Sequence, residues 1–130
     1  EYFDVLSIKQ VVVVSSVAAW RGLPMAAAYC SSKAALKSAI ESIELDYSNT
    51  NVKFRLFYPG FVETPLTDKN DFKMPFIIKV NVAGEKIYNS IKQSNKFEIS
   101  FPLRFTVLMK LISMLPWPLY KWLMLKKIKK

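Results

Sequence analysis

Residues 11–33 read VVVVSSVAAWRGLPMAAAYCSSK, and this stretch decides the fold. Val11 to Val14 form a continuous β-branched run ending in Ser15-Ser16. Such a run predicts a buried parallel strand rather than a half-exposed one. Gly22 and Pro24 interrupt the next dozen residues, which therefore read as a loop. From Tyr29 to Tyr47 the period changes to that of a helix, with Leu36, Ile40, Ile43 and Tyr47 on one face, and Asn49-Thr50-Asn51 ends it. A second strand follows at 52–58, where Val52, Phe54, Leu56 and Tyr58 share a side, and Pro59-Gly60 breaks it. An irregular stretch over 61–75 leads to a helix of about 77–93, with Val80, Ala83, Ile87 and Ile91 as its inward positions. Phe97, Ile99 and Phe101 alternate as a short third strand. Strand, helix, strand, helix, strand predicts a parallel α/β layer with right-handed crossovers.

Composition removes several chemistries. The chain has 130 residues, no His, one Cys and three Gly. A Ser-His-Asp triad and a His-bearing zinc site are excluded, and no metal site is expected. Cys30 alone makes neither an intrachain disulfide nor a CxxC pair. Gly22, Gly60 and Gly84 are too scattered for a glycine-rich phosphate cradle. The net charge of +9 is uneven, with +2 in residues 1–100 and +7, from seven basic and no acidic side chains, in residues 101–130. The body is nearly neutral and the tail's cations are interleaved with Leu, Met and Trp, so no nucleic-acid groove is expected.

The tail, 103–130, is different in kind. Phe105, Val107, Leu108, Met109, Leu111, Ile112, Met114 and Leu115 surround a narrow stripe of Thr106, Lys110 and Ser113, and Pro116 and Pro118 break the pattern. Trp117, Tyr120 and Trp122 then accompany lysines. The longest uncharged run, Leu111 to Tyr120, falls far short of the ~20 residues a spanning helix needs. Two readings stand side by side: a helix lying in the headgroup region of a membrane, or a terminal helix packed on the core or on a dimer partner.

Tyr29 and Lys33 are four residues apart, so both project from one helix face. A YxxxK pair alone says little. Here Ser16 ends a buried strand 13 residues earlier, and Pro59-Gly60-Phe61-Val62-Glu63-Thr64 ends the neighbouring strand, so two strand ends and a helix start converge on one crevice, where parallel sheets place their sites. A phenol needs a nearby cation to serve as an acid–base group, and Lys33 supplies one. Ser16 is suited to hydrogen-bond a substrate oxygen. Cys30 has no base beside it and reads as an ordinary helix position. Glu41, Glu44 and Asp46 read as solvated surface. Trp20 and Arg21 read as loop packing or as the border of a substrate entrance.

The runs SSVAAWRGLPMAAAYCSSKAAL and FYPGFVETPLT resemble the C-terminal half of a short-chain dehydrogenase/reductase, over about residues 10–67. The resemblance implies an NAD- or NADP-dependent oxidoreductase that interconverts an alcohol and a carbonyl. It maps the family's catalytic Ser, Tyr and Lys onto Ser16, Tyr29 and Lys33. The cofactor would be held by Tyr29, Lys33, Pro59, Gly60, Val62 and Thr64, with Lys33 on the ribose and Thr64 and the Val62 backbone on the carboxamide. The mixed-charge residues Asp68, Lys69, Asn70, Asp71 and Lys73 fall where the family has its substrate lid. Homo-oligomerisation of the intact protein and a cytoplasmic location, peripheral on a membrane surface, follow from the same likeness.

The expected fold class is therefore α/β: the C-terminal half of a Rossmann-like doubly wound parallel sheet over 1–102, plus an amphipathic helical tail over 103–130. The phosphate-binding turn and the strands before it have no counterpart in the sequence, so the reading expects a C-terminal fragment, inactive when isolated, with an open edge on the first strand. KFEISFP and the apolar, Pro-interrupted, basic tail resemble a subset of bacterial family members, and because some lipid-acting relatives are membrane-associated, the tail implies a hydrophobic or acyl-chain substrate. The alternative is a non-catalytic membrane-surface or interaction protein derived from a reductase.

Overall fold

The computed structural model describes residues 9–65, 67–69 and 74–128. Three strands form one sheet in the order β1-β2-β3: β1 (Gln10–Val14), β2 (Lys53–Pro59) and β3 (Glu98–Phe101). All pairs are parallel, with Gln10 to Val14 opposite Lys53 to Phe57, and Leu56 to Pro59 opposite Glu98 to Phe101. Parallel neighbours need crossovers, supplied by α1 (Ala27–Asp46) and α2 (Val80–Gln93). Two helices follow: α3 (Leu103–Ser113) and α4 (Trp117–Ile128).

Alternation along β2 sorts the layers. Phe54, Leu56 and Tyr58 enter one core with Val17, Ala19, Val52, Ile40 and Phe105, joined by Leu36 and Ile43 of α1 and by Tyr47, which caps it. Phe57 points the other way, to Phe101 and to Ala83, Ile87 and Ile91 of α2. The two helices therefore cover opposite faces of β2. Leu56, Phe57 and Tyr58 are at most 1% exposed, which explains why β2 reads as nearly continuous apolar sequence.

Two expectations about β1 and α2 need correction. Val80, the first residue of α2, is exposed rather than inward, because 76–79 are turn and bridge residues and not a first helical turn. The β1 strand is half-exposed: Val11 and Val13 pack on the first core, whereas Val12 and Val14 are open. That pattern arises because α2 covers the second face only over β2 and β3, and among the described residues nothing covers it over β1. Arg55, unremarked in the sequence, is buried at 4% exposure and donates to the Ser90 carbonyl of α2 at 3.4 Å.

The tail docks by one side. Phe105 joins the first core, and Thr106 is buried with its hydroxyl at 3.2 Å from Ser100. Ile112, Tyr120 and Met124 form a third cluster with Leu23, Leu115 and Leu123. Of the two readings of the tail, packing on the body accounts for this inner side. Thr106, read as part of a polar stripe, is turned inward, and the outer sides of both helices are apolar.

Candidate active site

Parallel pairing puts the ends of β1 and β2 at one edge of the sheet, and the sequence-predicted residues gather there. Beyond Val14, the Ser15 amide continues the ladder to the Phe57 carbonyl at 2.8 Å. Ser16 is extended, with φ −163°, and caps a 3-10 turn over Val17–Ala19, its Oγ accepting from the Ala18 N–H at 3.2 Å. Ser16 is buried and Tyr29 is half-exposed.

Two bonds pin the start of α1 to the end of β1. Lys33 Nζ donates to the Val14 carbonyl at 3.5 Å, and Ser15 Oγ donates to the Lys33 carbonyl at 3.3 Å. Lys33 Nζ also stands 5.8 Å from the centroid of the Tyr29 ring. The structure thus brings Lys33 to Tyr29 and to the strand end that carries Ser16. Ser15, the competing serine, is engaged with the α1 backbone. Cys30 is buried, its Sγ accepting from the Leu23 N–H at 3.3 Å, in keeping with an ordinary helix position.

A second tyrosine, Tyr58, sits at the same edge, but its hydroxyl donates to Glu98 Oε1 at 2.7 Å. Burial first, and then the Glu98 carboxylate, push its phenol far above the usual tyrosine range. Tyr58 is therefore a fixed donor, and Tyr29 is the phenol with access to solvent.

The loop after β2 is held from two sides. The Ile78 N–H donates to the Phe61 carbonyl at 3.1 Å and the Glu63 N–H donates to the Ile78 carbonyl at 2.9 Å, which makes a parallel bridge at Val62. Such a bridge uses the groups flanking Val62, so the Val62 N–H and carbonyl point to the other side. The carbonyl lies 2.8 Å from Thr67 Oγ1. Thr67 Oγ1 also accepts from the Thr64 N–H at 2.8 Å, and Thr64 Oγ1 accepts from the Thr67 N–H at 3.3 Å. Thr67 is the organiser that sequence reasoning missed. The signal was the Thr-x-x-Thr spacing ahead of a 3-10 turn at Thr67–Lys69. Asn70, Asp71 and Lys73 of the expected lid lie outside the described residues.

Gly60 closes the strand, its N–H donating to the Phe101 carbonyl at 2.8 Å. A Cβ there would lie 2.6 Å from Phe105 Cδ1, so glycine is required by the close approach of α3. On the other side of the crevice, Arg21 Nη1 donates to the carbonyls of Ser113 and Leu115 at 2.6 and 2.5 Å. Its guanidinium stands 4.1 Å from the Tyr120 ring centroid, and the Tyr120 hydroxyl donates to the Gly22 carbonyl at 2.6 Å. Trp20 packs on the first core and stacks on Tyr58 at 5.2 Å between ring centroids. Arg21 and Trp20 are thus loop-packing residues, and Arg21 ties the loop to the tail.

Residues 9–74 match the family model for short chain dehydrogenase. The chain belongs to the short-chain dehydrogenase family. The chain is 40% identical over 107 residues to an "uncharacterized oxidoreductase" of Myxococcus xanthus, covering 82% of this chain and 42% of the relative. A 3beta-hydroxysteroid dehydrogenase of Mediterraneibacter gnavus is 38% identical over 60 residues, 46% of this chain and 22% of that protein. The chain therefore spans less than half the length of these relatives. Among solved structures, a short chain dehydrogenase of Burkholderia cenocepacia in complex with NADP superposes with a TM-score of 0.68 at 20% identity, over 78% of this chain and 42% of the other. A 4-hydroxyisoleucine dehydrogenase complexed with NADH and succinate gives 0.57 at 19% identity, over 76% and 47%. These likenesses establish the Rossmann-like fold read from the sequence.

Proposed function

We propose that the polypeptide carrying these residues is an NAD(P)-dependent oxidoreductase that interconverts an alcohol and a carbonyl on a small, hydrophobic or lipid-like substrate. The observation that carries this reading is the placement of Lys33 between the Tyr29 ring and the end of β1, beside Ser16. The nicotinamide, when bound, supplies or accepts the hydride. Tyr29 holds the proton that passes to or from the substrate oxygen. The Lys33 ammonium stands beside that phenol, and its bond to the Val14 carbonyl fixes where the positive charge sits. Ser16 Oγ already accepts the Ala18 N–H, so its own proton is free to point at the substrate oxygen.

The loop after β2 fits the carboxamide end of the cofactor. The Val62 N–H points away from the Ile78 bridge, and Thr67 holds Thr64 beside it. Pro59 and Gly60 set the height of that loop against β3. No glycine-rich turn for the pyrophosphate is present in the sequence, so this chain's contribution is confined to the nicotinamide end.

The test is made in the longest polypeptide that carries these residues. Tyr29→Phe is expected to lower kcat by about 10²–10⁴-fold, the usual weight of a positioned acid–base group. Binding of the reduced cofactor, followed by its fluorescence, should stay near wild type. Retained turnover removes Tyr29 from the role. Peripheral contact with a membrane through 103–130 belongs to the same reading, and the exposed apolar sides of α3 and α4 support it. Those sides also favour the second reading, a non-catalytic membrane-surface protein, for which Tyr29→Phe would leave function unchanged.

A further inference from the structure

We propose that the outward sides of α3 and α4 form a docking face for an anionic lipid bilayer, carrying the loop between Ser16 and Tyr29 to the lipid headgroups. This deepens the membrane part of the preceding reading and does not depend on the oxidoreductase assignment.

The face is built from apolar residues that the fold leaves exposed. While Phe105, Thr106 and Ile112 turn inward, Leu103, Val107, Leu111 and Met114 are exposed, Leu103 at 71% and Met114 at 75%. At 3.6 residues per turn these four fall within about 80° of arc. On α4, Tyr120 and Met124 are inward, and Trp117, Leu119, Trp122 and Leu125 are exposed. Phe105 enters the first core and Ile112, Tyr120 and Met124 meet Leu23 in one cluster, so the open sides face away from the body. These eight large apolar side chains, exposed on two successive helices, are more than scattered surface residues, and such clustering marks an interaction site.

Charge selects the occupant. Residues 101–130 hold seven basic and no acidic side chains. Lys126 Nζ lies 4.8 Å over the exposed Trp122 ring, which places a cation and an interfacial aromatic together as headgroup contacts require. No described helix is long and apolar enough to cross a membrane, so these helices lie on the surface. A second copy of the chain fits poorly, because its matching face brings the same cations and no carboxylate to pair them. A phosphate backbone of nucleic acid would leave Leu103, Leu111 and Met114 in water.

The face is also coupled to the site. Arg21 holds the Ser113 and Leu115 carbonyls, Tyr120 holds the Gly22 carbonyl, and Leu23 is part of the shared cluster. A substrate that enters past this loop arrives from the headgroup region, which suits an amphiphile.

Sedimentation with phosphatidylcholine vesicles, with and without 30 mol% (about a third) phosphatidylglycerol, tests the proposal. The chain should pellet with the anionic vesicles at about 0.1 M salt and be released at about 1 M, where the screening length falls from about 10 to 3 Å. Lys121→Gln and Lys126→Gln should each weaken partitioning about fivefold, the effect of roughly one surface cation. Trp117→Ser with Trp122→Ser should weaken binding with an unchanged circular dichroism spectrum. Three results overturn the proposal: no pelleting with anionic vesicles at low salt, equal binding to neutral vesicles, or a lipid-free dimer in sedimentation velocity that the tryptophan pair abolishes. The Tyr29→Phe variant should bind vesicles as wild type does, so loss of turnover and loss of lipid binding report on separate readings.

Discussion

Gly60 and Thr67 carry more of the site's geometry than their size suggests. The Gly60 α-carbon is pressed against the Phe105 ring, a buried side chain that cannot easily withdraw. Gly60→Ala should therefore destabilise the fold by about 1–3 kcal/mol, the usual range for overpacking, measured by urea denaturation. Thr67→Val keeps the shape of the side chain but leaves the Thr64 N–H without its acceptor. Loss of such a bond costs about 1–3 kcal/mol where the group is buried, and Thr64 is part-buried, so the lower end is expected. The readout is faster amide exchange at Thr64, with a higher KM for the cofactor in the longest polypeptide. Neither role follows from residue type alone. Pro-Gly marks the end of a strand in any sequence, and only the position of Phe105, 45 residues away in the chain, shows why the glycine is needed.

Among the elements, those with strong period were legible and those set by tertiary contact were not. The strands follow from the Val run, the alternation in 52–58 and that of Phe97, Ile99 and Phe101, and α1 from the spacing of Leu36, Ile40, Ile43 and Tyr47, which all pack in the first core. The start of α2 was misplaced because Ile78, apolar like a helix residue, is used in the Val62 bridge. The tail was ambiguous for a physical reason. It is apolar on both sides, so period cannot tell the docked side from the open one, and only the contacts of Phe105, Ile112 and Tyr120 separate them. The meeting of Lys33 with Tyr29 and with the end of β1 was legible by spacing, but the Arg21 clamp was not, since it joins residues about ninety positions apart. Arg21→Met should free the end of α3. Limited proteolysis is expected to cut near 113–117 sooner than in wild type, with β1 to β3 kept intact.

For the whole molecule, the sheet concentrates stability at β2, which is covered on both faces, while β1 is covered on one. Leu56→Ala should cost about 2–5 kcal/mol, read as a shift of the denaturation midpoint. Val14→Thr, on the open face of β1, should cost less than about 0.5 kcal/mol, as surface changes do. Equal losses at the two positions would show that the open face of β1 is buried in solution. The Arg21 contacts also set an order of events during synthesis. The carbonyls that Arg21 holds lie 92 and 94 residues downstream, and the Tyr120 hydroxyl on Gly22 lies 98 downstream. A chain made from its amino end at about 5–20 residues per second needs roughly 5–20 s to supply them. The loop between Ser16 and Tyr29 is therefore finished after both elements that flank it, β1 and α1, and a nascent chain that ends before residue 113 lacks the partners that shape the entrance to its crevice.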